Sequence, residues 1–375
     1  MSKSDKKKKI TCVYLGHLEY RGRLLKEIAT LQDAGHECEM ILGDVEMKDQ
    51  DFTKHNFPIH IIPMSLKKGQ IWLYIKHFWF SWVAAGRISK SKTDVVYCFS
   101  IQALLTGVFL KLRNSNVKMV YDSNELFIEC FQNKLKKLIW WPVQKIGVSY
   151  CDLIIHAESN RLTYYLEKHG GRNKRHEVLE NFPNYKEGVL AKKPLEGART
   201  RVVYFGVLGR DRYTVELVKI FHALPDYDLD IVGYFAEKDV ERDVKHILKT
   251  SNKTNVRILP GISYTEMPKL LEDYNIGIAL YLNTNVNNYY CAPNKVYDYL
   301  MNGLTVIANS YPGLVKVLKG NQTGACIDEV DEACFAKALN EIKMNNLWDN
   351  ISDETRYRYS WDNQSVAFLK WVDDL

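Results

Sequence analysis

The sequence lacks an uninterrupted apolar run of roughly 18 residues, the length that a membrane-spanning helix requires. The nearest candidate, residues 71–86, is interrupted by Lys76 and His77, so no spanning helix is expected. The eight cysteines include no Cys-x-x-Cys pair, which indicates buried thiols in a reducing compartment and no zinc site. The basic start MSKSDKKKK leads into a strand-like run without a cleavage site, so we expect a cytoplasmic protein.

The sequence also lacks a large excess of charge of either sign. The net charge is only +6 over 375 residues, and the basic residues are dispersed, so no nucleic-acid partner is expected. This balance still permits an acidic ligand or an anionic membrane surface as a partner. A hydrophobic content of 46% is ordinary for a globular protein and argues against disorder.

Strand-like runs alternate with helical runs, and a polar stretch at residues 184–200 divides the alternation into two halves. This pattern predicts an α/β protein with two doubly wound Rossmann-like domains that face each other across a cleft. The predicted parts are an N-terminal domain (1–185), a linker (186–200), a C-terminal domain (201–355) and a closing helix (356–375). The predicted strands are Lys9–Leu15, Glu37–Leu42, Ile59–Pro63, Asp94–Phe99, Lys118–Asp122, Asp152–Ala157, Glu177–Asn181, Arg201–Gly206, Leu229–Gly233, Val256–Gly261, Ile276–Leu282, Thr305–Ser310 and Ala325–Asp328.

Each half opens with a strand followed by glycine, a residue that lets the backbone approach a ligand closely. Gly16 and His17 follow the first strand, where His17 could face the cleft. Gly206 follows the first strand of the second half, with Arg210 and Arg212 just beyond it. Two guanidinium groups at the end of a strand suit a diphosphate, although two solvated arginines are an equal alternative. Neither loop is a complete G-x-G-x-x-G or Walker motif, so neither favours a dinucleotide oxidoreductase or an NTPase.

The segment from Asn287 to Ser310 carries the strongest pattern. Pro293 suits the first turn of a helix, whose early N–H groups near Asn294 and Lys295 would attract an anion. Asp298 lies one turn deeper on the same face, where a carboxylate can accept hydrogen bonds from two ribose hydroxyls. An ordinary surface ion pair between Lys295 and Asp298 is the alternative reading.

The run PNKVYDYLMNGLTVIA resembles the nucleotide-sugar-binding segment of GT-B glycosyltransferases, and of glycosyltransferase family 4 in particular. Five further segments appear in the family's order, so that the resemblance covers nearly the whole chain. These segments are YDSNELF, HAESNRLTYYL, VLENFPN, YFGVLGRDR and ISYTEMPKLLEDYNIGIALY.

The resemblance implies a donor site in the C-terminal domain. Asp298 matches the second acidic residue of the family's E-x7-E motif, whereas Tyr290 stands where the first acidic residue would be. Asn294 and Lys295 match a variant in which proline, asparagine and lysine precede the acidic residue. By the same resemblance, either arginine of the GRDR segment is the basic group that neutralises the diphosphate.

The resemblance also implies an acceptor in the N-terminal domain, with Gly16 and His17 on the acceptor side. It further implies that the closing helix crosses back onto this domain. Many relatives carry a histidine where this chain has Asn124, so no histidine base is carried over. Asp122, Asn124 and Glu125 are the candidates for contact with the transferred sugar or the acceptor, and with Lys295 they form the expected catalytic set. The closing helix around Trp361–Trp371 resembles the family's C-terminal helix.

Three further segments also have a defined interpretation. The Asp-x-Asp pattern within Asp226–Asp230 precedes a buried strand, so we expect turn chemistry there and neither a metal nor another cofactor.

The run Phe131–Lys145 places Lys134, Lys136 and Lys137 beside Trp140 and Trp141, a composition suited to peripheral contact with the inner face of a membrane. The aromatic run at residues 71–92 is interpreted as a core-facing helix.

The sequence therefore predicts a metal-independent glycosyltransferase. Its donor would be a nucleoside diphosphate sugar, with a UDP-sugar favoured over a GDP-sugar, and its acceptor a glycan or lipid-linked glycan of cell-surface polysaccharide or glycolipid synthesis. Two alternatives stay open at this stage: a nucleotide-sugar epimerase on the same fold, and a non-catalytic two-domain sugar-binding protein.

Overall fold

The computed structural model describes residues 7–18, 21–44, 51–64, 70–291 and 294–375. The chain divides into two compact units. Unit 1 comprises Met1–Glu180 and Ser365–Leu375, and unit 2 comprises Asn181–Gln364. Each unit is built on its own parallel sheet with helices around it, which confirms the predicted class of two doubly wound α/β domains.

Seven parallel strands form the sheet of unit 1. They are β1 (Lys9–Leu15), β2 (Glu37–Asp44), β3 (Ile59–Pro63), β4 (Val95–Phe99), β5 (Lys118–Ser123), β6 (Leu153–His156) and β7 (His176–Val178). Their order across the sheet is β3-β2-β1-β4-β5-β6-β7. The central strand β4 is buried along its whole length, as expected for a parallel sheet that helices cover on both faces.

Five helices of unit 1 connect these strands. They are α1 (Gly22–Asp33), α2 (Gln70–Ile88), α3 (Leu104–Arg113), α4 (Lys134–Tyr150) and α5 (Ser159–His169). Helix α1 shows why such runs are helical: Leu24, Ile28 and Leu31 recur at intervals of four and three residues, and all three are buried. Helix α5 ends at Gly170, whose φ of 75° is readily adopted only by glycine.

Six parallel strands form the sheet of unit 2. They are β8 (Thr200–Leu208), β9 (Tyr227–Phe235), β10 (Val256–Pro260), β11 (Ile276–Ala279), β12 (Thr305–Asn309) and β13 (Gly324–Ile327), in the order β10-β9-β8-β11-β12-β13. The helices that follow are α6 (Thr214–Ala223), α7 (Lys238–Thr250), α8 (Met267–Leu271), α9 (Val286–Tyr289), α10 (Asn294–Met301), α11 (Pro312–Leu318), α12 (Glu332–Met344), α13 (Asp353–Arg358) and α14 (Trp361–Asp373).

Strands β8 and β9 are two residues longer at their carboxyl ends than the sequence analysis predicts. Gly206 and Gly233 are therefore paired inside the sheet and are not the first residues of a loop. The backbones approach so closely here that a Cβ atom on Gly233 would lie 1.7 Å from the carbonyl oxygen of Gly206. Gly206 itself has a φ of 138°. Because Gly206 and Gly233 have no side chains, β8 and β9 can continue to pair beyond these positions.

The polar segment between β7 and β8 contains no helix or strand. It lies along unit 2: the Lys192 amide donates to the carbonyl of Gly303 at 2.7 Å, and the Asn275 side chain donates to the carbonyl of Lys192 at 2.9 Å. At the other end of the chain, Phe368 of α14 is buried against the ring of Tyr97 within unit 1. Both segments are held by specific contacts within a unit.

The close contact at Gly233 leads to the first prediction. Gly233→Ala should lower the free energy of unfolding by roughly 1–3 kcal/mol, because its methyl group collides with the backbone of β8. Gly261→Ala is the matched control, since its Cβ would meet only ordinary contacts of 3.4 Å or more. Chemical denaturation measures both changes. Equal stability of the two variants would contradict the tight pairing of the two glycines.

Candidate active site

Helix α10 is docked on the carboxyl half of β8 in unit 2. The amide of Phe205 donates to the hydroxyl of Tyr299 at 3.0 Å, which ties the helix to the strand. The ring of Tyr299 lies over β11 at Gly277, where a Cβ atom would come within 2.3 Å of it. The first turn of α10 is thereby fixed beside Gly206.

Lys295, in the first turn of α10, lies against the end of β8. Its Nζ donates to the hydroxyl of Tyr204 at 2.9 Å and lies 4.1 Å from the centre of the same ring. A Cβ atom on Gly206 would lie 2.6 Å from this Nζ, so the absence of a side chain there gives the ammonium group its room. Burial, and then the positive charge of Arg212, lowers the pKa of Lys295 to about 7.

Arg212 belongs to the same cluster. Its guanidinium donates to the carboxylate of Asp211 at 2.6 Å and stacks on the ring of Tyr281 at 4.3 Å. The Lys295 ammonium lies 5.9 Å from the centre of that same ring. The structure therefore brings Gly206, Arg212 and Lys295 together.

Arg210 does not join this cluster, which corrects the expectation that both arginines face one diphosphate. Its guanidinium pairs with Asp239 and lies 3.6 Å from Glu237, and its side chain is largely exposed. The two arginines flank Asp211 on one 3₁₀ turn, and the acidic start of α7 attracts the first of them.

Asp298 is buried one turn further along α10. Its Oδ1 accepts a hydrogen bond from the hydroxyl of Tyr264 at 2.6 Å, and burial together with this carboxylate raises the pKa of Tyr264. Below it, the Asn302 side chain donates to the carbonyl of Asp298 and accepts from Lys186. The alternative of a surface ion pair is wrong, because Asp298 is buried and Lys295 donates to a tyrosine.

The residues around the start of α10 are only partly described. Asn294 is its first residue and is exposed. Tyr290, which replaces the first acidic residue of the family motif, is half-buried directly after α9. Pro293, predicted in the first turn of this helix, lies outside the described residues.

The Asp-x-Asp segment only partly fits the expected turn. Asp226 lies in the turn before β9, but Asp228 lies within the strand. Asp230, which the predicted strand already included, is buried inside β9. Its carboxylate receives two hydrogen bonds from Arg257, at 2.7 and 2.6 Å, and one from the hydroxyl of Tyr274 at 2.6 Å. The carboxylate thus anchors β9 to its surroundings. In the described ranges, no group of three or more ligating side chains is arranged to hold a metal ion.

In unit 1 the structure corrects the expectation for Asp122. This carboxylate is completely buried, and Arg23 Nη2 donates to both of its oxygens at 2.9 Å. Arg23 also donates to Glu27 at 2.8 Å, and Glu27 accepts from the hydroxyl of Tyr97 at 3.0 Å. Asp122 is a member of an internal charge network and is not exposed to a substrate. It lies at the carboxyl end of β5 but points into the protein.

The other predicted residues of unit 1 lie at the carboxyl edge of its sheet. Glu125 is exposed and Asn124 is half-buried, with its carbonyl accepting from Arg161 at 3.0 Å. Gly16 has a φ of 133°, and its amide donates to Gly43 at 3.0 Å. His17 is half-buried beside it. These positions are consistent with contact to an acceptor, which stays a prediction.

The two adjacent tryptophans of α4 have opposite environments. Trp141 is 46% exposed, but Trp140 is buried against Phe127, Tyr74 and His77, which corrects its assignment to a membrane contact. Neighbours in a helix point about 100° apart, so one of the two had to face inward. Lys134 is exposed, whereas Lys136 and Lys137 are half-buried.

The prediction of a core-facing α2 is also wrong in part. Phe80, Ala84, Ala85 and Ile88 are buried, but a second apolar stripe at helical spacing faces outward. That stripe consists of Ile75, Phe78, Trp79 and Trp82, each about half exposed. Among the residues that the structure describes, no helix is both long and apolar enough to cross a membrane.

Three tyrosines of the unit 2 site were missed in the sequence: Tyr204, Tyr264 and Tyr281. Tyr204 was accessible to sequence reasoning, because it precedes Gly206 by two residues and so shares its face of the strand. Tyr264 follows β10 and Tyr281 follows β11, and their approach to α10 depends on the order of the strands. Nothing in their local sequence distinguishes them from other aromatic residues after strands.

The comparisons with known proteins concern the fold and the family match of unit 2. Residues 187–359 match the family of glycosyl transferases group 1. Sucrose-phosphate synthase from Thermosynechococcus elongatus has a similar structure, with a TM-score of 0.72, 15% identity and coverage of 98% of both chains. Anabaena HepE in complex with UDP has a TM-score of 0.72 and 15% identity, with 98% of this chain and 100% of that chain covered.

The lipopolysaccharide outer core galactosyltransferase WaaB is also similar, with a TM-score of 0.73, 14% identity and coverage of 96% of this chain and 99% of that chain. No curated protein matches the sequence. Likeness at such low identity shows the fold, which is the GT-B fold. Unit 2 of the chain carries a domain of glycosyl transferases group 1.

The Lys295 environment leads to the second prediction. In the free protein the Lys295 ammonium should titrate near pH 7, observable by NMR of isotope-labelled lysine side chains. Arg212→Gln should raise this pKa, because a neighbouring positive charge is removed. Arg210→Gln is the matched control and should leave the pKa unchanged, since Arg210 pairs with Asp239. Titration of Lys295 above pH 9 in the unmodified protein would contradict the described environment.

Proposed function

We propose that the protein transfers a hexose-type sugar from a nucleoside diphosphate sugar to a glycan or lipid-linked glycan. The observation that carries the proposal is the cluster of Arg212 and Lys295 beside Gly206, with Asp298 one helical turn further on. Two cations at the end of a strand suit a diphosphate, and a carboxylate suits ribose hydroxyls. Because Anabaena HepE has been solved with UDP and with UDP and glucose, we favour a UDP-sugar over a GDP-sugar.

The proposed donor contacts follow from the apo geometry. The diphosphate lies next to Gly206, where no side chain blocks it, and receives charge from Lys295 and Arg212. Asp298 accepts from the ribose, with Tyr264 holding its second oxygen in place. Asn294, exposed at the start of α10, offers a further amide at the same end of the helix.

In the reaction, the bond between the sugar C1 and the diphosphate oxygen breaks, and the diphosphate keeps the electron pair. A bond forms between C1 and an acceptor hydroxyl, whose proton leaves. Negative charge therefore grows on the diphosphate, and preorganised cations stabilise that charge most strongly in the transition state. An anion beside Lys295 also raises its lowered pKa, so donor binding takes up a proton near neutral pH. In this proposal the two side-chain cations take the role that a divalent metal plays elsewhere.

The third prediction separates the roles of Lys295 and Asp298. Lys295→Ala should lower kcat by roughly 10²- to 10³-fold, because it removes charge that matters most in the transition state. Asp298→Asn should mainly weaken donor binding, because it removes a ribose acceptor and leaves the phosphates untouched. Initial rates and calorimetric titration with UDP measure the two effects. Tyr264→Phe is the control for the shared hydrogen bond and should reproduce only part of the Asp298→Asn effect.

Products from a panel of nucleotide sugars test the reaction itself. Release of nucleoside diphosphate only in the presence of an acceptor supports transfer. Conversion of the donor to a new sugar without acceptor would support an epimerase, and binding without turnover across acceptors would support a sugar-binding protein. If both site variants bind and turn over donor like the parent, the donor site lies elsewhere.

We further propose peripheral contact with an anionic membrane through the helices α2, α3 and α4. Together these helices contain eight Lys or Arg residues and no Asp or Glu. Two outward apolar stripes lie on this face, because α2 and α4 both turn large side chains to solvent. The members on α4 include Leu135, Leu138, Ile139, Trp141 and Ile146, each at least 41% exposed. Exposed apolar side chains with flanking cations suit the headgroup boundary of a bilayer.

The fourth prediction concerns this face. Changing Lys134, Lys136 and Lys137 to Glu should reduce sedimentation with anionic liposomes, because each change reverses a charge at the surface. Activity on a soluble acceptor should survive, since these residues lie outside the unit 2 cluster. Unchanged liposome binding would contradict the proposed membrane contact of this face. Loss of activity on every acceptor would indicate that the three lysines are needed for folding.

A further inference from the structure

A groove of about 510 Å³ opens in unit 1 next to the exposed face of α4. One wall is the start of α4, another is the end of α5, and the 3₁₀ turn Phe127–Cys130 contributes the floor. Its volume suits a small ligand or the polar end of a larger one. The groove contains none of the residues assigned to the donor.

The polar lining of the groove carries an excess of positive charge. Lys137 donates to Glu129 at 3.0 Å, and His169 lies 3.4 Å from the other oxygen of the same carboxylate. Burial lowers the pKa of His169, so this ring adds little charge at neutral pH. Lys134 and Lys168 also line the groove, and neither forms an ion pair with a carboxylate in the described part of the chain. Three lysines thus face a single glutamate.

The apolar lining continues directly onto the face proposed to meet the membrane. Ile128 is buried in the groove, whereas Leu138 and Trp141 line it and are also 68% and 46% exposed. The Lys145 ammonium lies 4.8 Å from the centre of the Trp141 ring, so cations border the outer rim as well. A ligand that matches this lining has an anionic end, which contacts the lysines in the groove. Its other end is apolar and extends out of the groove along Leu138 and Trp141.

We propose that this groove binds the phosphate headgroup of an anionic membrane lipid, whose acyl chains stay in the bilayer against Leu138 and Trp141. This inference rests on the membrane contact proposed above and names its partner. A free phosphate ester shares the anionic end but has nothing for the apolar rim, so the lipid is the occupant that uses both halves of the lining.

The test compares two variants that lose the same charge. Lys134→Gln/Lys168→Gln removes the two lysines without an ion pair from the groove. Lys76→Gln/Arg113→Gln removes two charges from α2 and α3, on the same face but outside the groove. Co-sedimentation with phosphatidylcholine vesicles containing phosphatidic acid measures binding, and thermal unfolding confirms that both variants are folded.

We expect the groove variant to bind at least ten-fold more weakly than the parent and the control variant less than three-fold. Equal losses would reduce the groove to one part of a general basic surface and overturn the proposal. Tight binding of glycerol 3-phosphate by the parent, unaffected by vesicles, would overturn the lipid as the ligand. The parent protein could also bind no vesicles and still transfer sugar to a soluble acceptor. That result would overturn the proposed membrane contact and the proposed lipid site, and it would leave the proposed transferase function intact.

Discussion

Two cations held next to each other, with one carboxylate, that of Asp211, paired to Arg212, determine the properties of the unit 2 site. Lys295 is half-buried beside Arg212, and its hydrogen bond goes to the neutral hydroxyl of Tyr204. Such an arrangement is costly in the free protein, which relieves it by lowering the pKa of Lys295. In the proposed function, the bound diphosphate supplies the missing negative charge. The rest of the site supports this state: Gly206 leaves room for the ammonium, and Tyr299 fixes α10 on the strand.

At the carboxyl edge of the unit 1 sheet, a buried cation is accommodated differently, by direct pairing with carboxylates. In unit 1, Arg23 donates to the carboxylates of both Asp122 and Glu27. Two carboxylates outnumber this one cation, and burial raises the pKa of Asp122, which favours its neutral form. Removing Arg23 would leave both carboxyl groups in the interior without a cation. The polar residues at the edge of the unit 1 sheet therefore stabilise the fold, whereas we propose that the cations at the edge of the unit 2 sheet receive a ligand. The two edges look alike in sequence because both place polar residues directly after buried strands.

This similarity explains which parts were predictable from sequence. The strand pattern predicted both sheets, because the hydrophobic period and the length of each run are local properties of the sequence. The pattern around Lys295 and Asp298 likewise predicted the helix α10. Burial was not predictable in the same way. Asp122 follows a strand just as an active-site residue would, and only the position of Arg23, far away in the chain, shows that it faces inward. The direction of Arg210 depends on Asp239 for the same reason.

The absence of acidic residues from three neighbouring helices has a consequence for motion as well as for affinity. A molecule with one strongly basic face carries an electric moment, and the field of an anionic surface exerts a torque on it within a Debye length of about 8 Å at physiological ionic strength. The protein would then turn its basic face towards the bilayer before any side chain touches a lipid. With the membrane contact and the lipid-linked acceptor that we propose, the protein would then search for that acceptor by diffusion in two dimensions.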